Sequence, residues 1–235
     1  MPLSPRLPRL CALATLCTLA LPALAADRPA VLPDTMAQRV IACTSCHAKN
    51  EGKDAFFPRI SGKPAGYLYN QLVNFREGRR TYPLMTYMVD HMPDAYLREI
   101  ADYFSAQHLK PPPVQPTTAA PAVLERGRAL VTEGDHAIKV PACVACHGER
   151  LTGVAPAIPG LAGLPRDYVN AQFGAWKNQA RRAHAPDCMA EIAARLSVED
   201  VAAISSWLGQ RPLPADPAPA TSVTRPLPIA CGSAP

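Results

Sequence analysis

Cys43-Thr44-Ser45-Cys46-His47 recurs in pattern 100 residues later as Cys143-Val144-Ala145-Cys146-His147. Two cysteines three positions apart with a histidine directly after the second form the attachment signal of a c-type haem. On one helical turn the two thiols can add to the two vinyl groups of the porphyrin, and the histidine is held beneath the iron as its proximal ligand. A chain that carries this signal twice is expected to wrap two macrocycles. The rival uses of the spacing fail here. A zinc ribbon wants its two Cys-x-x-Cys knuckles about 15–20 residues apart, and a thioredoxin-like redox motif sits beside a βαβ pattern; neither condition is met.

The duplication extends beyond the pentapeptides. Gly62-Lys63-Pro64-Ala65-Gly66-Tyr67 matches Gly163-Leu164-Pro165-Arg166-Asp167-Tyr168 at an offset of 101. Leu68, Leu72 and Phe75 then fall on Val169, Phe173 and Trp176, each trio lying on one face of a helix. Gln71 aligns with Gln172 and Arg80 with Arg181. Further on, Leu97, Ile100 and Phe104 match Val201, Ile204 and Leu208 at an offset of 104, so three residues are inserted after Arg181. Repeats of this length are domains; solenoid units are much shorter. The periodicity predicts helices over 34–42 and 121–133, after Pro64 and Pro165, over 94–107, and from a capping Ser197 to Gly209. No convincing alternating strand is present, which makes the chain all-α.

His47 and His147 are the proximal ligands on this reading. Met189 is the only methionine after His147. The first half offers Met85, Met88 and Met92, and the repeat selects Met85, which precedes Leu97 by the 12 residues that separate Met189 from Val201. Met88 and Met92 then read as core side chains, while His184 and Cys188 flank Met189 and remain alternatives at the second iron. Thioether ligation favours ferrous iron and raises the reduction potential. With both axial positions filled, no site is open to substrate, which argues for electron transfer. Cys188 and Cys231 are left over, and a disulfide between them is the default in an oxidising compartment.

That compartment is implied by the N-terminus. Arg6 and Arg9, an apolar run over 10–21 and Ala23-Leu24-Ala25 have the form of a cleaved secretory signal. Nothing later approaches 18 consecutive apolar residues, so no transmembrane segment is expected in a mature periplasmic protein. Of the 24 Lys+Arg, removal of those two leaves 22 against 19 Asp+Glu, a balance of +3. That is no nucleic-acid footprint, which needs a concentrated basic face. Proline-rich stretches mark the boundaries. The expected organisation is a signal peptide over 1–25, domains over 26–109 and 122–210, a linker over 110–121 and a tail over 211–235.

The chain resembles the dihaem cytochrome c4 family over about 34–210. The resemblance rests on both haem motifs, Phe57-Pro58-Arg59-Ile60-Ser61-Gly62, Tyr67-x-x-x-Gln71, Phe75-Arg76-Glu77-Gly78-Arg79-Arg80 and Met85-Thr86-Tyr87-Met88. The second half adds Ile158-Pro159-Gly160-Leu161-Ala162-Gly163, Tyr168-x-x-x-Gln172 and Met189. It implies two tandem class I cytochrome c domains related by a pseudo-two-fold axis and two covalently bound haem c groups. It also implies that the Pro58 and Pro159 carbonyls fix the proximal imidazoles, and that Arg80 and Arg181 approach haem propionates. Cys188 and the tail carrying Cys231 depart from the family pattern. The expected function is that of an electron carrier between a respiratory donor and a terminal oxidase or similar acceptor. The alternatives are the cytochrome subunit of a periplasmic dehydrogenase, such as a flavin-containing sulfide dehydrogenase, or a dihaem enzyme like thiosulfate dehydrogenase with a cysteine-ligated iron.

Overall fold

Helices that each bury one stripe and are separated by proline or glycine can only stack around a shared centre, and the chain does this twice. The computed structural model describes residues 32–47, 57–108, 113–114 and 116–234. The expected signal peptide, and residues 110–112 and 115 of the expected linker, lie outside the described residues.

The first half comprises α1 (Met36–Arg39), α2 (Ile41–His47), α3 (Ala65–Arg76), α4 (Pro83–Val89) and α5 (Asp94–Ser105). In the second half, α6 (Pro121–Thr132), α7 (Val144–His147), α8 (Arg166–Lys177), α9 (Cys188–Arg195) and α10 (Val198–Gly209) follow. Helix α3 packs on α5, and α10 packs on both α6 and α8. The repeat-matched apolar residues are the ones buried. Leu97, Ile100 and Phe104 of α5 lie in the first core, and Val201, Ile204 and Leu208 of α10 in the second. Each such side chain contributes about 1.5–3 kcal/mol on burial. Met88 and Met92 pack half-buried against the first core, as expected of filler side chains.

Local signals set the ends. Ser197 and Asp200 form a reciprocal capping box at the start of α10. Asp200 also receives Arg126 of α6 at 2.8 Å, and the same guanidinium reaches Asp135 at 2.8 Å, tying α6 to α10.

Three details differ from the sequence reading. The first predicted helix does not stop before the haem motif: after a turn at the buried Val40, α2 runs through the motif to His47. The methionines sit on short helices, α4 and α9, started by Pro83 and by an Asp187 cap. Two-residue strands are also present, β1 (Gly134–Asp135) with β2 (Val140–Pro141) and β3 (Gly153–Val154) with β4 (Ile158–Pro159), too short to show an alternating pattern. Gly153 has φ +93° and no room for a Cβ, which would lie 2.5 Å from the Ile158 carbonyl oxygen.

The α6–α10 crossing has no space either. A Cβ on Gly127 would lie 2.2 Å from the Ala203 carbonyl oxygen, whereas Gly174, exposed on α8, meets nothing within 4 Å. Gly127→Ala is expected to cost about 2–3 kcal/mol, and Gly174→Ala to gain about 0.5 kcal/mol. Denaturant unfolding of the holoprotein checks both, and equal shifts would show that the crossing tolerates a methyl group.

Candidate functional site

Two cavities lie one in each half, and the predicted iron ligands face them. The first is lined by Cys43, His47, Pro58, Leu68, Tyr82 and Met85 among others. Cys43, Cys143, Cys146, His147 and Met189 all line one cavity or the other, whereas Cys46 sits half-buried beside His47 without lining. In the second, Cys143, Cys146 and His147 come from the α7 turn, Met189 from α9, and Val169, Phe173 and Trp176 from α8. The four motif cysteines are unpaired.

The two imidazoles are oriented alike. His47 Nδ1 lies 2.9 Å from the Pro58 carbonyl oxygen, and His147 Nδ1 lies 2.7 Å from that of Pro159. A carbonyl only accepts, so each Nδ1 carries the proton and donates it, leaving the Nε2 lone pair free. Burial lowers the pKa of both histidines, against the raising effect of that hydrogen bond. Each ring is therefore held as the neutral tautomer that ligates a metal. Pro159 is placed by the β3–β4 ladder. Burial also pushes the Cys143 thiol up to about 12.

On the methionine side, Asp187 takes the Ala190 backbone N–H at 3.0 Å and the Ala183 N–H at 2.7 Å, fixing both the start of α9 and the loop before it. The alternatives at the second iron are otherwise engaged. His184 Nε2 is 3.2 Å from Arg79, and Cys188 is joined to Cys231 as a disulfide. The spare cysteines thus pair as expected, and Cys188 is no thiolate donor.

The cavities share one wall. Lys63, Tyr67, Gln71, Tyr168, Gln172 and Arg181 line both. Arg80 donates to Gln71 at 3.0 Å and to Gln172 at 2.8 Å, and Arg181 donates to the same two oxygens, at 3.2 and 2.5 Å. Backbones cross here too: the Thr81 N–H donates to Ala180 and the Arg182 N–H to Arg79, both at 2.7 Å. Arg80 stacks over Phe75 and Arg181 over Trp176, which are matched positions of the repeat. No carboxylate pairs with Arg59, Lys63, Arg80 or Arg181 among the described residues. Lys63 is 8% exposed, and burial pulls its pKa down to about 8. The Trp176 indole N–H is buried without a partner. Buried cations and an orphaned donor around two apolar cavities fit the propionates of two haems. Sequence reasoning aligned Lys63, Gln71, Gln172 and Trp176 but assigned them no part in the site. For Gln71 and Gln172 the signal was identity held across the offset of 101 on otherwise apolar helix faces, and for Trp176 an aromatic match with Phe75; Lys63, matched by Leu164, carried none.

Two helical halves, each holding a Cys-x-x-Cys-His turn with its histidine tied to a proline carbonyl and a methionine lining the same cavity, define a class I c-type cytochrome with two domains. No protein-family model matches the chain. It is 36% identical to a thiosulfate dehydrogenase electron acceptor of Thiomonas intermedia, over 73% of this chain and 79% of that one. It is 33% identical to cytochrome c4 of Pseudomonas aeruginosa, over 71% and 82%. The solved structure of reduced cytochrome c4 from Pseudomonas stutzeri superposes with a TM-score of 0.60 at 29% identity, over 74% of this chain and 95% of that one. Thiosulfate dehydrogenase from Marichromatium purpuratum superposes with a TM-score of 0.64, but only 37% of that chain is spanned. The chain belongs to the cytochrome c4 family of dihaem electron carriers, with two covalently bound haem c groups.

Gln172 accepts from both arginines. Gln172→Leu, which leaves two buried guanidiniums short of an acceptor, is expected to cost about 1–3 kcal/mol in denaturant unfolding. An unchanged midpoint would show that these bonds contribute nothing.

Proposed function

We infer that each iron is held between an imidazole and a thioether, by His47 and Met85 in the first domain and by His147 and Met189 in the second. Cys43 and Cys46 anchor one porphyrin, Cys143 and Cys146 the other. The domains run over 26–109 and 122–210. The observation that carries this reading is that each cavity is lined both by a histidine pinned through Nδ1 and by a methionine of a short helix. The haems supply a one-electron ferrous–ferric couple. The protein's part is to keep both axial positions filled, exclude water from the apolar cavities, and face the propionates with Arg59, Lys63, Arg80, Arg181 and Trp176.

A carrier of this kind moves single electrons in the periplasm between a respiratory donor and a terminal oxidase or similar acceptor, docking weakly through a small patch. The expected signal peptide supports export, and no helix among the described residues is long and apolar enough to cross a membrane. A second reading has a specific observation in its favour. Two relatives are named as electron acceptors of thiosulfate dehydrogenase, at 36% and 32% identity, so that dehydrogenase is the donor on this reading. Rapid mixing with a thiosulfate-reduced dehydrogenase and with a quinol-oxidising complex separates the two. Fast, saturable reduction by only one of them names the donor.

The ligand assignment is tested by the ferric near-infrared band of methionine-bound haem. Full two-haem intensity is expected, falling by half in Met85→Ala and by half in Met189→Ala. A Met189→Ala protein with an unchanged band would overturn it. Lys63→Met removes a buried cation that favours the electron-rich ferrous state. The reduction potential of at least one haem should fall by about 30–60 mV; a rise, or no change at either haem, would place Lys63 away from the propionates.

A further inference from the structure

The two methionine helices are matched in the repeat but differ in what covers them. Leu84, next to Met85, corresponds to Cys188, next to Met189, and Tyr87 corresponds to Glu191. In the first half this surface is open, with Leu84 49% and Tyr87 77% exposed. In the second half Cys188 is bonded to Cys231, 43 residues away in the tail. Leu227, Ile229, Cys231 and Ser233 line the second cavity itself, and among the described residues no tail residue lines the first.

The tail is seated at both ends of its course. Ala220 is paired with the β3 edge, its N–H donating to Gly153 at 2.9 Å and its carbonyl accepting from Ala155 at 2.7 Å. Beyond it, the Gly232 N–H donates to Pro186 at 2.9 Å, and the Ser233 carbonyl accepts from Asn70 of α3 at 3.2 Å. Gly232 lies against the loop before α9 so closely that a Cβ would be 2.2 Å from the Ala185 carbonyl oxygen. Any swing of the start of α9 away from the cavity must therefore drag the tail out of this seat.

We propose that the tail, fastened by Cys188–Cys231, is a positioning element that holds Met189 on the second iron and closes that haem alone to exogenous ligands. The proposal rests on the assignment of Met189 as an axial ligand. Displacing a methionine from its iron requires a local opening of the segment that bears it, and a cross-link next to the ligand restricts that opening. Among the described residues no cross-link restrains Met85 on α4.

The test uses the ferric holoprotein and imidazole as the entering ligand, following loss of the near-infrared band. Met85→Ala and Met189→Ala proteins, each keeping one methionine-bound haem, assign the two kinetic phases. Displacement at the second haem is expected to be the slower. In the Cys188→Ala, Cys231→Ala double variant that rate should rise about tenfold or more while the first-haem rate stays put. Gly232→Val, which keeps both cysteines but unseats the tail, should accelerate the same phase. An unmoved second-haem rate in both variants overturns the proposal, as does an equal acceleration at both haems, which would report general loosening. A parent protein with only one haem equivalent of band intensity would instead remove the Met189 assignment, and the proposal with it.

Discussion

The guanidinium groups of the buried Arg181 and the half-buried Arg80 share acceptors with no carboxylate among the described residues to balance them, and the contact between the two halves is built on how they are satisfied. Arg80 and Arg181 each reach across to the other half and share the amide oxygens of Gln71 and Gln172. Side-chain amides supply acceptors but no charge, so the positive potential is left uncompensated by the described residues. It is directed at the two cavities that flank it. On the proposed reading a dianionic porphyrin edge on either side would answer the charge, so that binding of the cofactors and docking of the domains would share one solution. Burial of Lys63, at 8% exposure, belongs to the same account.

Covalent attachment was legible in the sequence, and the proposed iron ligands were drawn from it, because both rest on spacing within one turn or on register between repeats. Cys43, Cys46 and His47 are adjacent in the chain, and the choice of Met85 over Met88 and Met92 needed only the offset to Leu97. Of the three, Met85 lines the first cavity, and Met88 and Met92 do not. The shared wall was less legible. Gln71 meets Arg181 across 110 residues of chain, and no local pattern announces that kind of contact. The short helices that carry Met85 and Met189 were not predicted. Seven- and eight-residue helices such as α4 and α9 are too short to display a period, and they are set by Pro83 and Asp187 rather than by an apolar stripe.

The tail illustrates a different limit. Its prolines remove helix and strand, and the sequence rightly shows neither. Yet its course is fixed by single contacts: a bridge at Ala220, an ion pair between Arg150 and Asp216, and the bond to Cys188. Irregular chain of this sort is ordered by what it touches, and a reading of periodicity has no purchase on it.

The backbone crossing at Arg80 and Arg181 carries an implication for ancestry. What one half gives at this crossing it also receives, since Thr81 binds Ala180 as Arg182 binds Arg79. Such reciprocity is the mark of an isologous contact, the kind by which identical subunits form closed pairs. A lone module bearing these residues could meet a second copy of itself through the same bonds, at a strength set by its concentration. Joining the copies in one polypeptide removes that dependence. It also frees each half to diverge, and the sulfur link beside Met189, absent beside Met85, is a product of that freedom.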